Sequence, residues 1–325
     1  MNIGVIGVGS MGQNHARVLS DLDCLSAVMD SNKELAKSIG IRYDVPFFSD
    51  IDKFLRSDLD AVTIATPAST HYEIAEKVID NGLDLIVEKP IALSSSDARK
   101  MVKKASKKDV LLAVGMIERH NPVIATAKTL LDDGDVGEVI TLSSKRVSSF
   151  PSRVSDMGVI MDLAIHDLDV MRYLSDSDIA SVYTSGGPSN HGSEYEDHSN
   201  ILVQFENGVD GLLEVNWLTP HKVRNLWITC SKEYIEIDYI NQTMVMSSSQ
   251  LLEYDVSNLF DIPLEHNIRR FSVKRQEPLH REMKDFIGSV KNGRKPLVSG
   301  EDGLKSLEVA EAALKSLRIG EKIEL

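Results

Sequence analysis

Five short apolar runs punctuate the first third of the chain: Ile3–Ile6, Ser26–Met29, Ala61–Ala65, Leu83–Val87 and Leu111–Val114. Near-continuous runs of this length predict strands covered on both faces, as in a parallel sheet. Amphipathic stretches separate them. Tyr72–Ile79 has helical periodicity and stops at Asn81-Gly82, while Ser94-Ser95-Ser96-Asp97 caps a further helix reaching about Lys107. Strand alternating with helix predicts a doubly wound parallel sheet. The rhythm changes after Gly115. A helix is expected near Pro122–Leu131, ending at Asp132-Asp133-Gly134, and another from about Val159 to Leu174. Beyond Ile179 the segments Asn200–Phe205, Gly211–Trp217, Leu226–Thr229, Tyr234–Tyr239 and Thr243–Met246 alternate apolar with polar positions. Alternation predicts an open antiparallel or mixed sheet with one covered face. Two helices, about His280–Lys291 and Gly303–Leu317, close the chain. The expected fold is α/β: an N-terminal doubly wound domain over 1–118, then a C-terminal α+β domain with an open, mostly antiparallel sheet over 119–325.

A chain of 325 residues suits two domains, and 42% hydrophobic with 26% charged residues is ordinary globular composition. The net charge of -13 argues against nucleic acid as the main partner, though a local cluster of cations can still hold an anionic small molecule. Cys24 and Cys230 lie far apart and outside any ligand spacing, so neither a zinc site nor a disulfide framework is expected. The first residues lack a basic segment followed by a long apolar run, and no stretch reaches the roughly 20 apolar residues of a membrane span. A cytoplasmic protein without a membrane partner is expected.

The most specific local signal is Gly7-Val8-Gly9-Ser10-Met11-Gly12, at the junction of the first strand and first helix. In a dinucleotide-binding βαβ unit Gly7 permits the turn, Gly9 lets backbone approach the pyrophosphate, and Gly12 lets helix and strand pack closely. Ser10 and Met11 open the helix whose amide end faces the phosphates. Asp30 ends the second strand about twenty residues on, where an acceptor for a ribose hydroxyl belongs. A carboxylate there repels a 2′-phosphate, and no Arg follows in Ser31-Asn32. The expected cofactor is NAD, held in a Rossmann domain.

Glu88-Lys89-Pro90 ends the strand expected at Leu83–Val87, on the sheet edge where ligands bind in such folds. Asp162, His166 and Asp169 recur at spacings of four and three, which places them on one helix face. By spacing alone, a solvated polar face or a satisfied core histidine fits equally well, and Lys89 alone fits a surface lysine. Taken together, Gly7–Gly12, Thr66-Pro67 with His71, Glu88-Lys89-Pro90 and the Asp162/His166 pair resemble the glucose–fructose oxidoreductase/inositol 2-dehydrogenase/MocA family over essentially the whole length. The resemblance implies that Lys89, Asp162 and His166 form the catalytic group, with Thr66, Pro67, His71, Glu88 and Lys89 near the cofactor. It also implies dimers or tetramers. One departure is visible: Met157-Gly158-Val159-Ile160-Met161 stands where the family often has a run of glycines.

Oxidising a secondary alcohol needs a base for the hydroxyl proton and a nicotinamide to take the hydride. His166 is the favoured proton acceptor, with Lys89 holding the reacting oxygen and Asp162 orienting. Glu118–Pro122, Asn216–Arg224 and Glu277-Pro278-Leu279 resemble the branch of the family that oxidises C3 of UDP-N-acetylglucosamine. Arg119, Lys145, Arg146, Lys222 and Arg224 are candidate donors to a diphosphate, and Trp217 a candidate sugar contact. The same residues also fit surface ion pairs and core packing. The alternatives are a myo-inositol or free-sugar dehydrogenase and a catalytically silent NAD-binding regulator. Leu213, Val215 and Trp217, on alternate positions, are expected to form an apolar outer face through which the protein self-associates.

Overall fold

The computed structural model describes residues 1–151, 157–189, 195–251, 264–271 and 273–325. These fall into two units, Met1–His120 with Gln276–Glu311, and Asn121–Arg275 with Ala312–Leu325.

The first unit begins β1 (Ile3–Ile6), α1 (Ser10–Asp21), β2 (Leu25–Met29), α2 (Lys33–Tyr43), β3 (Phe47–Phe48), α3 (Ile51–Leu55) and β4 (Ala61–Ile64). It continues through α4 (His71–Asp80), β5 (Asp84–Glu88), α5 (Ser95–Lys108) and β6 (Leu112–Gly115). Its six strands are parallel, in the order β3-β2-β1-β4-β5-β6. The order reverses direction between β1 and β4, which opens a crevice at the carboxyl ends of those strands. Local chemistry sets the helix starts. The Asn32 side chain accepts from the Glu34 and Leu35 amides, Asp50 from Asp52 and Lys53, and Ser94 from Asp97. The helix expected after Tyr72 ends at Asp80, and Gly82 takes a left-handed φ of 72°.

The second unit carries α6 (Pro122–Asp132), β7 (Val139–Ser149), a π-helical turn over Ile160–Ala164, α7 (Ile165–Ser175), β8 (Ile179–Gly187) and β9 (His198–Phe205). It continues with β10 (Asp210–Asn216), β11 (Leu218–Cys230), β12 (Tyr234–Asp238), β13 (Thr243–Leu251) and β14 (Leu264–Phe271). Helices α8 (Pro278–Asn292) and α9 (Gly300–Ile319) follow, then β15 (Ile323–Glu324). The nine-stranded sheet runs β14-β13-β12-β11-β7-β10-β9-β8-β15. It is antiparallel apart from the β7–β10 pair, so the sheet is mixed and mostly antiparallel.

Two expectations change here. Gln276–Glu311, expected within the second domain, belongs to the first unit. The stripe Leu279, Met283, Phe286 and Ile287 on α8 lies in the same core cluster as Ile3, Val5 and Ile86. Gly300 and Gly303 bring α9 onto β6, where a Cβ would sit 2.7 Å from Leu112 Cδ2 and 2.6 Å from Val114 Cγ2. The alternating face of β10 also points the other way. Leu213, Val215 and Trp217 are buried, while Leu212 is 47% exposed and its neighbour Leu202 53%. A one-residue error in which face is covered inverts every side chain of a strand.

Candidate active site

The turn from β1 into α1 rests on two glycines that leave no room for a side chain. Gly7 has φ of 82°, and a Cβ on Gly12 would lie 1.8 Å from the Gly7 carbonyl oxygen. Gly9 is different: nothing lies within 4 Å of where its Cβ would be, so its backbone borders open space. Helix α1 starts at Ser10 without a side-chain cap and without an acidic residue in its first turn. Its first amides, including those of Ser10 and Met11, therefore carry the positive end of the helix dipole with no acidic side chain of the first turn to neutralise it. Asp30 stands beside this turn. Its Oδ2 accepts the Val8 amide at 2.9 Å and its Oδ1 the Asn32 amide at 2.9 Å, which fixes the carboxylate while leaving lone pairs over. An open glycine, an uncapped helix end and an anchored carboxylate fit a dinucleotide with a free ribose hydroxyl.

The turns after β4 and β5 are tied together by one imidazole. His71 Nε2 lies 2.9 Å from the Thr66 carbonyl and Nδ1 2.9 Å from the Pro90 carbonyl. Burial pushes the His71 pKa down, against the raising effect of those two carbonyls. His71 thus braces the Thr66-Pro67 and Lys89-Pro90 turns from beneath, and Pro67 is exposed above it. Glu88 is locked as well. Its Oε1 accepts from His15 Nε2 at 2.9 Å, its Oε2 accepts the Lys89 amide at 3.2 Å, and its carboxyl packs against the Gly115 backbone. Burial alone would raise the Glu88 pKa, but the His15 hydrogen bond and charge, with Lys89, hold it below the usual carboxylate value. Sequence reading passed over His15, although its place three residues after Gly12 set it on the inner face of α1.

In the second unit Asp162 lies within the π-helical turn and His166 in the first turn of α7. One continuous α-helix was expected; the π turn inserts an irregularity of the kind often found at functional sites. The solvated-face alternative does not hold, because Asp162 and Asp169 are buried and His166 is half-buried. Glu196 explains the entry to the turn. Its Oε1 accepts the Ile160 amide at 3.1 Å, its carbonyl accepts the Val159 amide at 3.0 Å, and a Cβ on Gly158 would meet its carboxyl at 2.1 Å. Gly158 is therefore the one glycine this entry requires, and burial raises the Glu196 pKa. Glu196 lies 36 residues from Ile160 in sequence, so nothing local pointed to it.

The expected substrate cations separate. Lys145 and Arg146 are successive on β7 and point to opposite faces. Lys145 pairs with Glu214 at 2.8 Å on the open face. Arg146 is buried, with its Nε 2.5 Å from Asp167 Oδ2 and its guanidinium over the Tyr239 ring at 5.3 Å. Arg119 is buried in the first unit, 3.3 Å from both Asp302 Oδ1 and the Leu297 carbonyl oxygen. Trp217 packs edge-on against Phe150 with ring centroids 5.2 Å apart. Arg224, half-buried, pairs in register with Arg146. Arg119 and Arg146 are thus held in internal ion pairs, as buried guanidiniums must be.

The glycine turn, the anchored Asp30 and the β5 edge define an NAD-binding oxidoreductase domain, and comparison with known proteins agrees. The family model described as oxidoreductase family, NAD-binding Rossmann fold, matches residues 1–116, and that of the GFO/IDH/MocA C-terminal domain matches residues 124–236. The chain belongs to the Gfo/Idh/MocA family of oxidoreductases. It is 27% identical to a UDP-N-acetylglucosamine 3-dehydrogenase of Acidithiobacillus ferrooxidans, over 93% of each chain. A solved structure of that enzyme superposes with a TM-score of 0.88, at 26% identity and covering 98% of each chain. A scyllo-inositol 2-dehydrogenase (NAD(+)) of Bacillus subtilis is 28% identical, over 92% of this chain and 88% of its own length. Among the described residues no helix is long and apolar enough to cross a membrane.

Proposed function

We propose that the chain oxidises the C3 hydroxyl of UDP-N-acetylglucosamine or a related nucleotide sugar, with NAD as hydride acceptor. The observation that carries this reading is end-to-end similarity, in sequence and in fold, to an enzyme of that activity. When bound, NAD supplies the nicotinamide that takes the hydride. Lys89 holds the reacting oxygen, His166 receives the hydroxyl proton, and Asp162 orients the group. Gly7, Gly9, Ser10, Met11 and Gly12 seat the pyrophosphate, Asp30 takes the ribose, and Thr66, Pro67 and Glu88 face the nicotinamide half. Arg224, in register with Arg146, remains a candidate for the diphosphate, whereas Lys145 points to the opposite, open face, where it pairs with Glu214.

A second reading, a myo-inositol or free-sugar dehydrogenase, is favoured by the internal pairing of Arg119 and Arg146, which removes two of the expected diphosphate cations. Offering NAD with UDP-N-acetylglucosamine, then myo-inositol and glucose, and following reduced-nicotinamide absorbance separates the two. Turnover of the polyols alone rejects the nucleotide sugar. General acid–base groups contribute about 10²–10⁴-fold, so Lys89→Ala and His166→Ala each lower kcat by that order.

We also place the protein in the cytoplasm as a homo-oligomer. One cross-strand row on the open face runs Tyr183, Leu202, Leu212, Ser143 and Trp227, of which Tyr183, Leu202 and Leu212 are well exposed. An apolar row of this kind on an open sheet fits burial against a second copy.

A further inference from the structure

Three titratable side chains meet inside the first unit. His15 on α1, Glu88 at the end of β5 and Glu282 on α8 each bring one polar atom within 4.8 Å of the others. His15 and Glu282 are fully buried, and the Glu88 side chain is 12% exposed. Two members of this group are satisfied. His15 Nδ1 lies 2.5 Å from Thr63 Oγ1 and its Nε2 2.9 Å from Glu88 Oε1. Glu88 in addition accepts the Lys89 amide. Glu282 is not: both its carboxyl oxygens are buried with no hydrogen-bond partner among the described residues.

Two carboxylates this close in a dry interior cannot both ionise. The charge settles where donors stabilise it, and those donors surround Glu88. An ionised Glu282 would be a buried anion with no donor, the costliest arrangement a carboxyl can adopt. As a neutral acid it loses that penalty and gains an O–H to offer its neighbour. The charged groups acting on it point the same way, since after burial itself the negative charges of Glu88 and Asp285 favour the protonated form. His15 faces it from α1. The segment 117–120 also packs on α8, and its titratable residues are Glu118, Arg119 and His120. Of these, His120 is itself driven toward its neutral form by burial.

We propose that Glu282 is held in the fold as a neutral carboxylic acid able to offer its O–H to the ionised Glu88 beside it, and that this pair, braced by His15, is a positioning device for the Glu88-Lys89 turn. The positioning half rests on Lys89 acting as proposed above; the proton does not. Glu282 touches no substrate and acts through Glu88.

The sign of the effect on stability is fixed. A carboxyl that stays protonated in the fold but ionises on unfolding makes the native state hold one extra proton, so stability falls as pH rises above the unfolded value of about 4.5. Glu282→Gln keeps the shape and neutrality without that proton. Full-length wild type and Glu282→Gln are unfolded in urea between pH 5.5 and 7.5, following the circular-dichroism transition. Both tryptophans, Trp217 and Trp227, lie in the second unit, so the transition lacking a tryptophan signal reports the first. The wild-type unfolding constant should rise about tenfold per pH unit relative to the variant, about 1.4 kcal/mol. Parallel profiles would overturn the proposal. So would one divalent cation per chain that survives dialysis and is released by the substitution. If Glu282→Gln does not fold, Glu282→Met is compared in the same way. Infrared spectra at pH 7.5 must also show a protonated-carboxyl band that the variant lacks. For positioning, Glu282→Met should lower kcat about tenfold at unchanged NAD KM, the scale of one hydrogen bond to a charged group, with Glu282→Gln restoring most of it. Equal kcat in the two variants would overturn that half while leaving the proton standing.

Discussion

Arg146 offers a decisive contrast between a substrate-reading cation and a structural one. Its side chain is among the largest fully buried in the chain, and Asp167 opposite is 1% exposed. The pair is joined at 2.5 Å and 3.4 Å, and the guanidinium lies over Tyr239. Asp167→Leu removes one carboxylate of a buried ion pair, a change that costs about 3–5 kcal/mol in such pairs. Arg146→Met with Asp167→Leu removes both charges at similar volume, and should restore stability to within about 1–2 kcal/mol of wild type. Urea unfolding followed by tryptophan fluorescence reads this directly, because both tryptophans belong to the second unit. A diphosphate reader would behave in the opposite way: Arg146→Met would raise KM for a nucleotide sugar and scarcely touch stability. Loss of less than about 1 kcal/mol in Asp167→Leu, together with a raised KM in Arg146→Met, would refute the structural assignment.

Other outcomes follow from single contacts. Asp30→Ala should weaken NAD about tenfold or more and narrow its advantage over NADP, measured by KM for each, because one charge-assisted hydrogen bond to the ribose is lost. Gly12→Ala places a methyl 1.8 Å from the Gly7 carbonyl oxygen and should abolish NAD binding in calorimetry. Leu212→Asp puts a charge on the open face and should shift the protein toward monomer in light scattering, with the isolated fold intact. His120 is lowered to about 4, chiefly by burial, so the unfolded state takes up a proton first as pH falls. Its stabilising contribution is complete above about 6.5 and is lost toward about 4. Between pH 6.5 and 5, wild type should lose about 1.6 kcal/mol more than His120→Gln.

What the sequence determined by itself was local. Periodicity placed five of the six strands of the first unit, because buried parallel strands are apolar on both faces and need no context to be seen; the edge strand β3, only Phe47–Phe48, is too short to show a run. The cofactor turn was legible at Gly7–Gly12 because its constraints lie within one strand–helix junction, and Asp30 because the βαβ unit fixes its distance. Strands β7, β8 and β14 carried too much polar and glycine character to stand out, although β7 sits mid-sheet. Tertiary structure decided the rest. Which face of β10 is covered depends on what packs against it, and alternation alone is symmetric between the two choices. Whether Arg119 and Arg146 are readers or buried partners turned on Asp302, 183 residues away, and Asp167, on a different element. Glu196 and Glu282 were invisible for the same reason: a carboxyl acquires its role from the amide or the carboxylate that the fold brings to it, and burial then makes that role costly to disturb.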